Sequence, residues 1–251
     1  MGSASAFHDK IALVTGGGRG IGRAIALRFG AAGARVVVAS RTGGQLAETC
    51  RLIEQGGGLA RAVACDVTDA EDVARLIEEA RSAYGGVDIL VNGAGVAPLG
   101  AIDQMTPEIF DEIIRVNVRA VYLCSRAAWP VMVARGGGAI VNIASVAAYD
   151  AFPGFAAYGA AKAFVVAYTK ELAKEGAAVG IRLHGVAPGA VETGMLRGAF
   201  PEFPAAQALD PTEVAAMVET VLSPAYGNSS GETVKVVRAA ERVKARGSLM
   251  G

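Results

Sequence analysis

The chain has 251 residues, of which 52% are hydrophobic but only 6% aromatic, a composition typical of buried strands and closely packed helices. Its 24 lysines and arginines balance its 24 aspartates and glutamates and form no basic block, which argues against nucleic-acid binding. No apolar run reaches the ~18 residues of a membrane span, and residues 1–10 lack the apolar stretch of a signal peptide, so we expect a cytoplasmic protein that binds no membrane.

Short apolar runs rich in β-branched residues alternate with longer helical segments along the chain. The predicted strands are Ile11–Thr15, Arg35–Ser40, Leu59–Cys65, Ile89–Asn92, Ala139–Ala144, Ile181–Ala187 and Thr233–Val237. This alternation predicts an α/β fold in which a parallel sheet is covered by helices on both faces. Because no composition shift or linker interrupts the pattern, we expect one domain over residues 1–251.

Three helix starts carry capping signals. Asp69, Thr106 and Asp210 each stand just before a helical segment, and proline occupies the first helical position after the latter two. Glycine clusters at residues 56–58 and 136–138 indicate helix-to-strand loops, because glycine tolerates the left-handed conformation found at helix ends.

The first predicted strand runs directly into a glycine-rich turn. Gly16, Gly20 and Gly22 have the spacing G-x-x-x-G-x-G, and residues 24–30 then have a helical pattern. Glycines at such a turn let the backbone approach a pyrophosphate, whose charge lies at the helix N-terminus. The motif alone is weak evidence, but its strand-turn-helix context predicts a dinucleotide site.

The end of the second strand bears on which dinucleotide is bound. An NAD site places a carboxylate there for the ribose 2′-hydroxyl, whereas residues 38–41 contain none. Arg41, together with Arg19, offers donors for a 2′-phosphate, which favours NADP(H) over NAD(H). The alternative is that Arg41 is only a surface residue that opens a helix.

A tyrosine and a lysine lie four residues apart in a segment of helical pattern. Tyr158 and Lys162 would share one helix face, and Ser145 precedes the tyrosine by thirteen positions. An ammonium beside a phenol favours the phenolate, and lowering the tyrosine pKa by about two units takes roughly 2.7 kcal/mol. A lone Tyr-x-x-x-Lys is also common on solvated helix faces, so the pattern becomes informative only beside the glycine turn.

Taken in order, these motifs make the chain resemble the short-chain dehydrogenase/reductase superfamily, over roughly residues 10–237. The resemblance rests on Gly16, Gly20, Gly22, Asp66, Asn92 to Gly95, Asn117, Ser145, Tyr158, Lys162, Pro188, Gly189 and Thr193. The surrounding details look most like ketoreductases of the 3-oxoacyl-carrier-protein reductase kind. The resemblance implies a doubly wound sheet of the Rossmann type and a homo-oligomer, either a dimer or a tetramer.

The resemblance also implies catalytic roles. Tyr158 would protonate the substrate oxygen, and Ser145 would hydrogen-bond and orient it. Lys162 would hold the nicotinamide ribose and depress the tyrosine pKa, and Asn117 would support a proton-relaying water. Taken singly, Ser145 could instead be a hydroxyl that ends a strand, and Asn117 an exposed polar residue.

Cofactor contacts are implied along the same series of motifs. The residues are Gly16, Arg19, Gly20, Ile21, Gly22, Ser40, Arg41, Asp66, Val67, Asn92, Ala94, Gly95, Tyr158, Lys162, Pro188, Gly189, Val191 and Thr193. Asp66 would contact the adenine, while Val191 and Thr193 would bind the carboxamide. Two simpler alternatives stay open, namely that Asp66 caps a turn and that Pro188 and Gly189 only form one.

The chain also departs from the family pattern. Gly93 and His184 stand where the family often has asparagine, and we interpret His184 as a satisfied strand residue. A charged tail at residues 238–251 replaces the usual Asp-Gly-Gly close, which puts the common tetramer contact in doubt. Alanine-rich helices around Asn117 and Tyr158 would still suit a dimer.

The segment 193–210 lies where the family has its substrate lid. Its apolar residues and a second apolar group before the tyrosine would enclose a substrate. The expected substrate contacts are Ser145, Tyr158, Val96, Tyr149, Phe152, Phe155, Met195, Leu196 and Phe200, with Phe203 also in the lid. We therefore expect an apolar or aromatic ketone as substrate, although each residue could simply pack the lid onto the sheet.

Three functions remain open at this point. The first is an NADPH-dependent ketoreductase, and the second is an NAD-dependent alcohol dehydrogenase acting in the oxidative direction. The third is a non-catalytic NADP-binding regulator. No metal is expected, because Cys50, Cys65 and Cys124 are widely spaced and the only histidines are His8 and His184.

Overall fold

A computed structural model of the protein describes residues 7–238. Its centre is a seven-stranded parallel sheet with the order β3-β2-β1-β4-β5-β6-β7. The strands are β1 Ile11–Thr15, β2 Arg35–Ser40, β3 Leu59–Ala64, β4 Ile89–Asn92, β5 Gly138–Ile143, β6 Ile181–Pro188 and β7 Thr233–Val236. The predicted strands are thus confirmed, with bounds that differ by at most one residue at either end. Residues 239–251, which include nearly all of the charged tail, lie outside the described residues.

Helices connect the strands and cover the sheet. They are α1 Gly20–Ala31, α2 Gly43–Gln55, α3 Ala70–Tyr84, α4 Pro107–Ile114, α5 Ala120–Ala134, α6 Ala156–Ala177, α7 Gly194–Ala199 and α8 Pro211–Leu222. A π-helical turn, Arg115–Arg119, joins α4 to α5. Within the described residues, no helix combines the length and the apolar character needed to cross a bilayer.

The core divides into two layers, one on each face of the sheet. Alternate residues of β2 show the division, since Val36 and Val38 face the layer of α1, α2 and α8, whereas Val37 faces the layer of α3, α5 and α6. Burying each such aliphatic side chain contributes about 1.5–3 kcal/mol. The doubly wound fold of the Rossmann type is therefore confirmed.

Local capping explains where three helices begin. The Asp69 carboxylate accepts from the first-turn amides of α3, and the Thr106 hydroxyl accepts from the Ile109 amide at the start of α4. Asp210 and Glu213 form a capping box at α8, with a proline at the first position. The predicted helix starts are therefore confirmed.

The strand order explains where a site can form. The chain leaves β1 toward β2 on one side, while β4 pairs with β1 on the other. In open α/β sheets, this reversal opens a crevice at the carboxyl ends of the strands. The glycine turn after β1 and the loop after β4 both lie at that edge.

Candidate active site

The turn between β1 and α1 requires glycine at two positions. Gly16 has φ of +69°, and a side chain there would meet the backbone of Gly93 at 2.9 Å. A Cβ on Gly22 would lie well inside van der Waals contact of the Gly16 carbonyl oxygen. These close approaches pack the helix start against the turn and leave a cradle of bare backbone.

Two side chains brace this turn against α2. Arg23 donates to the Gly18 carbonyl at 2.5 Å and to Thr49 Oγ1 at 3.1 Å. The buried Thr49 hydroxyl lies 3.0 Å from the carbonyl oxygens of Gly17 and Gln45. Sequence reasoning missed both, although an arginine one position after Gly22 was a usable signal for the first.

A cleft of about 920 Å³ extends from the glycine turn across the ends of β2, β3 and β4. Of the residues expected to bind cofactor, it is lined by Gly16, Arg19, Gly20, Ile21, Gly22, Ser40, Arg41, Asp66, Val67, Ala94, Gly95 and Thr193. Arg19 is the N-cap residue of α1, and arginine carries no acceptor with which to cap a helix. The first amides of α1 are thus available to an anion, and the bare glycine cradle beside them fits a pyrophosphate.

Charges at the far end of this cleft are arranged around Asp66. Its carboxylate accepts from the Thr68 amide at 2.9 Å and from the Thr68 hydroxyl at 2.8 Å. The Thr68 amide is the main reason that the Asp66 pKa is lowered, and the charges of Arg41 and Arg115 add to the effect. Arg19 and Arg41 are exposed and form no ion pair within residues 7–238.

A second cavity of about 330 Å³ adjoins the cleft, because Ile21, Gly93, Gly95, Thr193 and Met195 line both. It contains all four expected catalytic residues, Asn117, Ser145, Tyr158 and Lys162. Its other expected residues are Pro188, Gly189, Val191, Phe152, Phe155, Leu196, Phe200 and Phe203. We call this cavity the catalytic pocket.

Tyr158 and Ser145 meet inside the catalytic pocket. Tyr158 lies in the first turns of α6, and its hydroxyl interacts with the Ser145 side chain, which lines the same pocket. Ser145 follows β5, and its Oγ also accepts from the Ala147 amide at 3.2 Å. Burial raises the pKa of Tyr158 above its ordinary value, and the interaction with Ser145 offsets only part of that rise.

Lys162 lies one helical turn beyond the tyrosine and is 5% exposed. Its Nζ donates to the Ile143 carbonyl at 2.9 Å and lies 5.8 Å from the centroid of the Tyr158 ring. Burial lowers the pKa of Lys162 to about 8. Burial is the main cause of the raised Tyr158 pKa, and the expectation that Lys162 depresses that pKa stays a prediction.

Asn117 lies in the π-helical turn between α4 and α5 and is fully buried. Its amide nitrogen donates to the Val96 carbonyl at 2.9 Å and to the Ile113 carbonyl at 3.1 Å. Its Oδ1 accepts from the Val96 amide at 3.3 Å. The alternative of an exposed helix residue does not hold, since Asn117 ties the loop after β4 to the wall of the catalytic pocket.

Two expected site residues lie outside both cavities as the described residues define them. The buried Asn92 amide donates to Asn142 Oδ1 at 2.8 Å, within the sheet. The Tyr149 ring lies under Lys235 Nζ, 4.1 Å from the ring centroid. Val96, expected as a substrate contact, lines the cleft instead of the catalytic pocket.

The expected lid folds over the catalytic pocket as α7 and the turn that follows it. Thr193 caps α7 by accepting from the Leu196 amide, and a bridge between Val191 and Leu209 joins the two ends of the lid. The Phe200 ring meets the Phe155 ring edge-on, with centroids 5.7 Å apart. The lid therefore reaches the helix that carries Tyr158.

Known proteins are similar to this chain over most of its length. The family model for short chain dehydrogenases matches residues 10–202. Dehydrogenase/reductase SDR family member 4 from Bos taurus is 37% identical over 240 residues, which cover 91% of this chain and 86% of that protein.

Two solved structures share the fold and are named with a bound cofactor. The 3-ketoacyl-(acyl-carrier-protein) reductase from Brucella melitensis, complexed with NADH, has a TM-score of 0.86 and 35% identity, and the match covers 92% of this chain and 98% of that one. The 7 alpha-hydroxysteroid dehydrogenase complexed with NADH and 7-oxo glycochenodeoxycholic acid has a TM-score of 0.88 and 31% identity, and covers 94% of this chain and 97% of that one.

Proposed function

The chain belongs to the short-chain dehydrogenase/reductase family and is an NAD(P)-dependent oxidoreductase, and from that premise we propose that it is an NADPH-dependent ketoreductase. The observation that carries the proposal is that Tyr158 and Ser145 interact in a pocket that shares a wall with the cleft at the glycine turn. An acid, an orienting hydroxyl and a dinucleotide cradle then meet at one place.

The glycine turn, the first amides of α1 and the ends of β2 and β4 would hold the dinucleotide, which supplies or accepts a hydride when bound. Arg19 and Arg41 favour NADPH, because both guanidinium groups line the cleft without a carboxylate partner among the described residues. Two arginines can bind a 2′-phosphate through bidentate hydrogen bonds, whereas a ribose hydroxyl gains little from them.

Proton transfer is assigned to Tyr158. Burial raises the pKa of its phenol, so the side chain stays protonated at neutral pH and can donate to a carbonyl oxygen as negative charge develops there. Ser145 would donate a second hydrogen bond to the same oxygen and so orient the carbonyl. A protonated phenol suits reduction, because the oxidative direction needs its phenolate as a base.

Lys162 and Asn117 would support Tyr158 in its role as the acid. The Lys162 ammonium is anchored by the Ile143 carbonyl, which leaves two of its protons for ribose hydroxyls and for the solvent path to the phenol. Asn117 accepts from the Val96 amide and donates to the Val96 carbonyl, and thereby fixes the loop between the cleft and the pocket. Replacing Lys162 should therefore weaken cofactor binding as well as turnover.

The walls of the catalytic pocket indicate the class of ketone. Phe152, Phe155, Leu196, Phe200 and Phe203 present apolar surface. Such walls stabilise an apolar or aromatic group beside the carbonyl. The 7 alpha-hydroxysteroid dehydrogenase that is named with 7-oxo glycochenodeoxycholic acid shares this fold, which supports a ketone as substrate.

The second candidate is an NAD-dependent alcohol dehydrogenase, which is favoured by the NADH named in both solved structures above. Fluorescence titration of the protein with NADPH and NADH separates the two candidates. Under the first, NADPH binds more tightly, and Arg41→Ala weakens NADPH binding about tenfold or more while changing NADH binding little. Equal or tighter NADH binding by the unmodified protein contradicts the NADPH assignment.

Arg81→Met is the matched control for these titrations, because Arg81 lies on α3 and lines neither cavity. The same protein is then assayed by NADPH absorbance with a panel of aliphatic and aromatic ketones. Consumption of NADPH by several apolar ketones supports the proposed substrate class. Bound NADPH with no turnover on any member of a broad panel favours the non-catalytic regulator.

A further inference from the structure

A single arginine of α7 links the residue just before the lid to the turn that follows α7. Arg197, on α7, forms a two-point ion pair with the Glu192 carboxylate, in which Nε donates to Oε1 at 2.8 Å and Nη2 donates to Oε2. Its Nη1 donates to the Pro201 carbonyl at 3.1 Å and to the Phe203 carbonyl at 2.6 Å. One guanidinium thus connects the stem before the lid with the turn beyond α7.

The turn that Arg197 holds carries the aromatic contact to the start of α6. The Phe203 amide donates to the Phe200 carbonyl at 3.1 Å, and the Phe200 amide to the Leu196 carbonyl at 2.7 Å. The Phe200 ring meets Phe155, whose centroid is 5.2 Å from that of Tyr158. Side-chain and backbone contacts together therefore connect Glu192 through the lid to Tyr158.

Resting on the ketoreductase function proposed above, we propose that Arg197 is a positioning residue that holds the lid closed over the substrate and thereby sets ketone affinity. The base of the lid is fixed without Arg197, because the Glu192 amide donates to the Leu209 carbonyl at 2.9 Å and the Leu209 amide to the Ala190 carbonyl at 2.8 Å. Arg197 acts on the outer turn, where Phe200 and Phe203 line the catalytic pocket.

The chemistry of the guanidinium suits this role better than its charge alone. An exposed ion pair by itself contributes little, but here the planar fork engages a carboxylate with one edge and two carbonyls with the other. Lysine would keep the charge but could not satisfy all of these acceptors at once. Rescue by lysine should consequently be only partial.

The test compares Arg197→Met and Arg197→Lys with Arg81→Met. The control removes an exposed guanidinium that forms the same two-point pair, with Glu78 at 2.7 Å for both bonds, near the end of a helix that lines neither cavity. For Arg197→Met, KM for an apolar ketone should rise about three- to tenfold while kcat stays within about twofold, since one charged hydrogen-bonding group holds the turn. NADPH affinity should match that of the control.

Glu192→Gln is the second variant and should raise the ketone KM in the same direction, with little added effect in the double variant. Chymotrypsin cleavage after Leu196, Phe200 or Phe203, followed by mass spectrometry, should be faster in Arg197→Met than in Arg81→Met. This readout needs no turnover, so it tests the lid even if the ketoreductase function fails. A ketone KM equal to or below that of the control, or unchanged cleavage of the lid, overturns the proposal.

Discussion

Burial is the dominant influence on both ionisable side chains of the catalytic pocket. It raises the pKa of Tyr158 and lowers that of Lys162 to about 8, so each is pushed toward its neutral form. For an acid that must donate a proton, this is the useful direction. The hydroxyl of Ser145 is then the group that orients the phenol, and the lysine is a neighbour held by a strand carbonyl.

Replacing the phenol tests this assignment directly. Tyr158→Phe keeps the ring that packs on Phe155 but removes the proton donor, so kcat/KM for a ketone should fall about 10² to 10⁴-fold. NADPH affinity, measured by fluorescence titration, should change by less than about twofold, because the ring stays in place. Tyr149→Phe is the matched control, since that hydroxyl lies outside both cavities and its loss should leave turnover nearly unchanged. Turnover retained by Tyr158→Phe would rule out the proposed acid.

His184 on β6 makes the stability of the folded chain depend on pH. It is 1% exposed, interacts with the Ser229 backbone, and within the described residues its Nε2 has no partner. Burial, aided by the charge of Arg182, lowers its pKa to about 4 from an ordinary 6.5. Between those values the unfolded chain binds a proton that the folded chain does not, so the stability associated with His184 is lost as pH falls through this window.

His184→Asn should remove that part of the acid sensitivity. The unmodified protein should lose about 2 kcal/mol more stability than the variant between about pH 7 and about pH 5, as measured by urea unfolding. The comparison isolates His184, because every other titrating group is shared by the two proteins. Parallel losses in both would mean that the folded state accommodates a charged imidazole.

At the scale of elements, the start of α1 depends on its close approach to the preceding turn. Gly22→Ala would force a methyl group into the Gly16 carbonyl and displace either the helix or the turn. NADPH affinity should fall by about tenfold or more. Gly44→Ala on α2 is the control, because a Cβ there meets nothing within 4 Å, and it should bind NADPH normally. Fluorescence titration of both variants makes the comparison, and normal NADPH binding by Gly22→Ala would contradict the tight-turn model.

The same scale shows which features a sequence can predict. Strand positions followed from local composition, because an apolar β-branched run bounded by polar or glycine residues marks its own ends. The polar contacts in the core did not follow from local composition. Asn92 is hydrogen-bonded to Asn142 fifty positions away, and Asn142 is hydrogen-bonded to Thr169 twenty-seven positions beyond that. The contact of the Tyr149 ring was likewise not predicted, because its partner Lys235 lies on β7, far along the chain.

For the catalytic pocket, spacing placed Tyr158 and Lys162 on one helix face, but it carried no information on how deeply that face is buried. Burial determines the direction of both pKa shifts, and it depends on elements outside α6, such as β5, whose Ile143 carbonyl accepts from Lys162. The π-helical turn at Asn117 was equally hidden, because no local residue pattern distinguishes it from the continuous helix expected there.

On the scale of the whole molecule, the outer face of α5 and α6 leaves apolar side chains exposed. The layer formed by α5 and α6 buries its inner side chains against β4, β5 and β6, yet on its outer side Tyr122, Val133 and Phe164 remain 44%, 40% and 38% exposed. The Phe164 ring stacks on Tyr168, with centroids 5.4 Å apart. Apolar groups that cluster on one face of a soluble protein commonly mark an interface.

We expect this face to pair with the same face of a second copy around a twofold axis, consistent with the homo-oligomer that the family resemblance implies. In such an interface each substitution occurs twice, so Phe164→Glu would bury two like charges and should convert the dimer to a monomer in sedimentation velocity. Leu59→Glu is the control, because Leu59 is 57% exposed on the edge strand β3, and it should sediment like the unmodified protein. A dimer that survives Phe164→Glu places the interface elsewhere, and a monomeric unmodified protein removes the expectation altogether. Since association with a second copy stabilises the folded chain, the monomeric variant should in addition show a lower unfolding midpoint in the absence of NADPH.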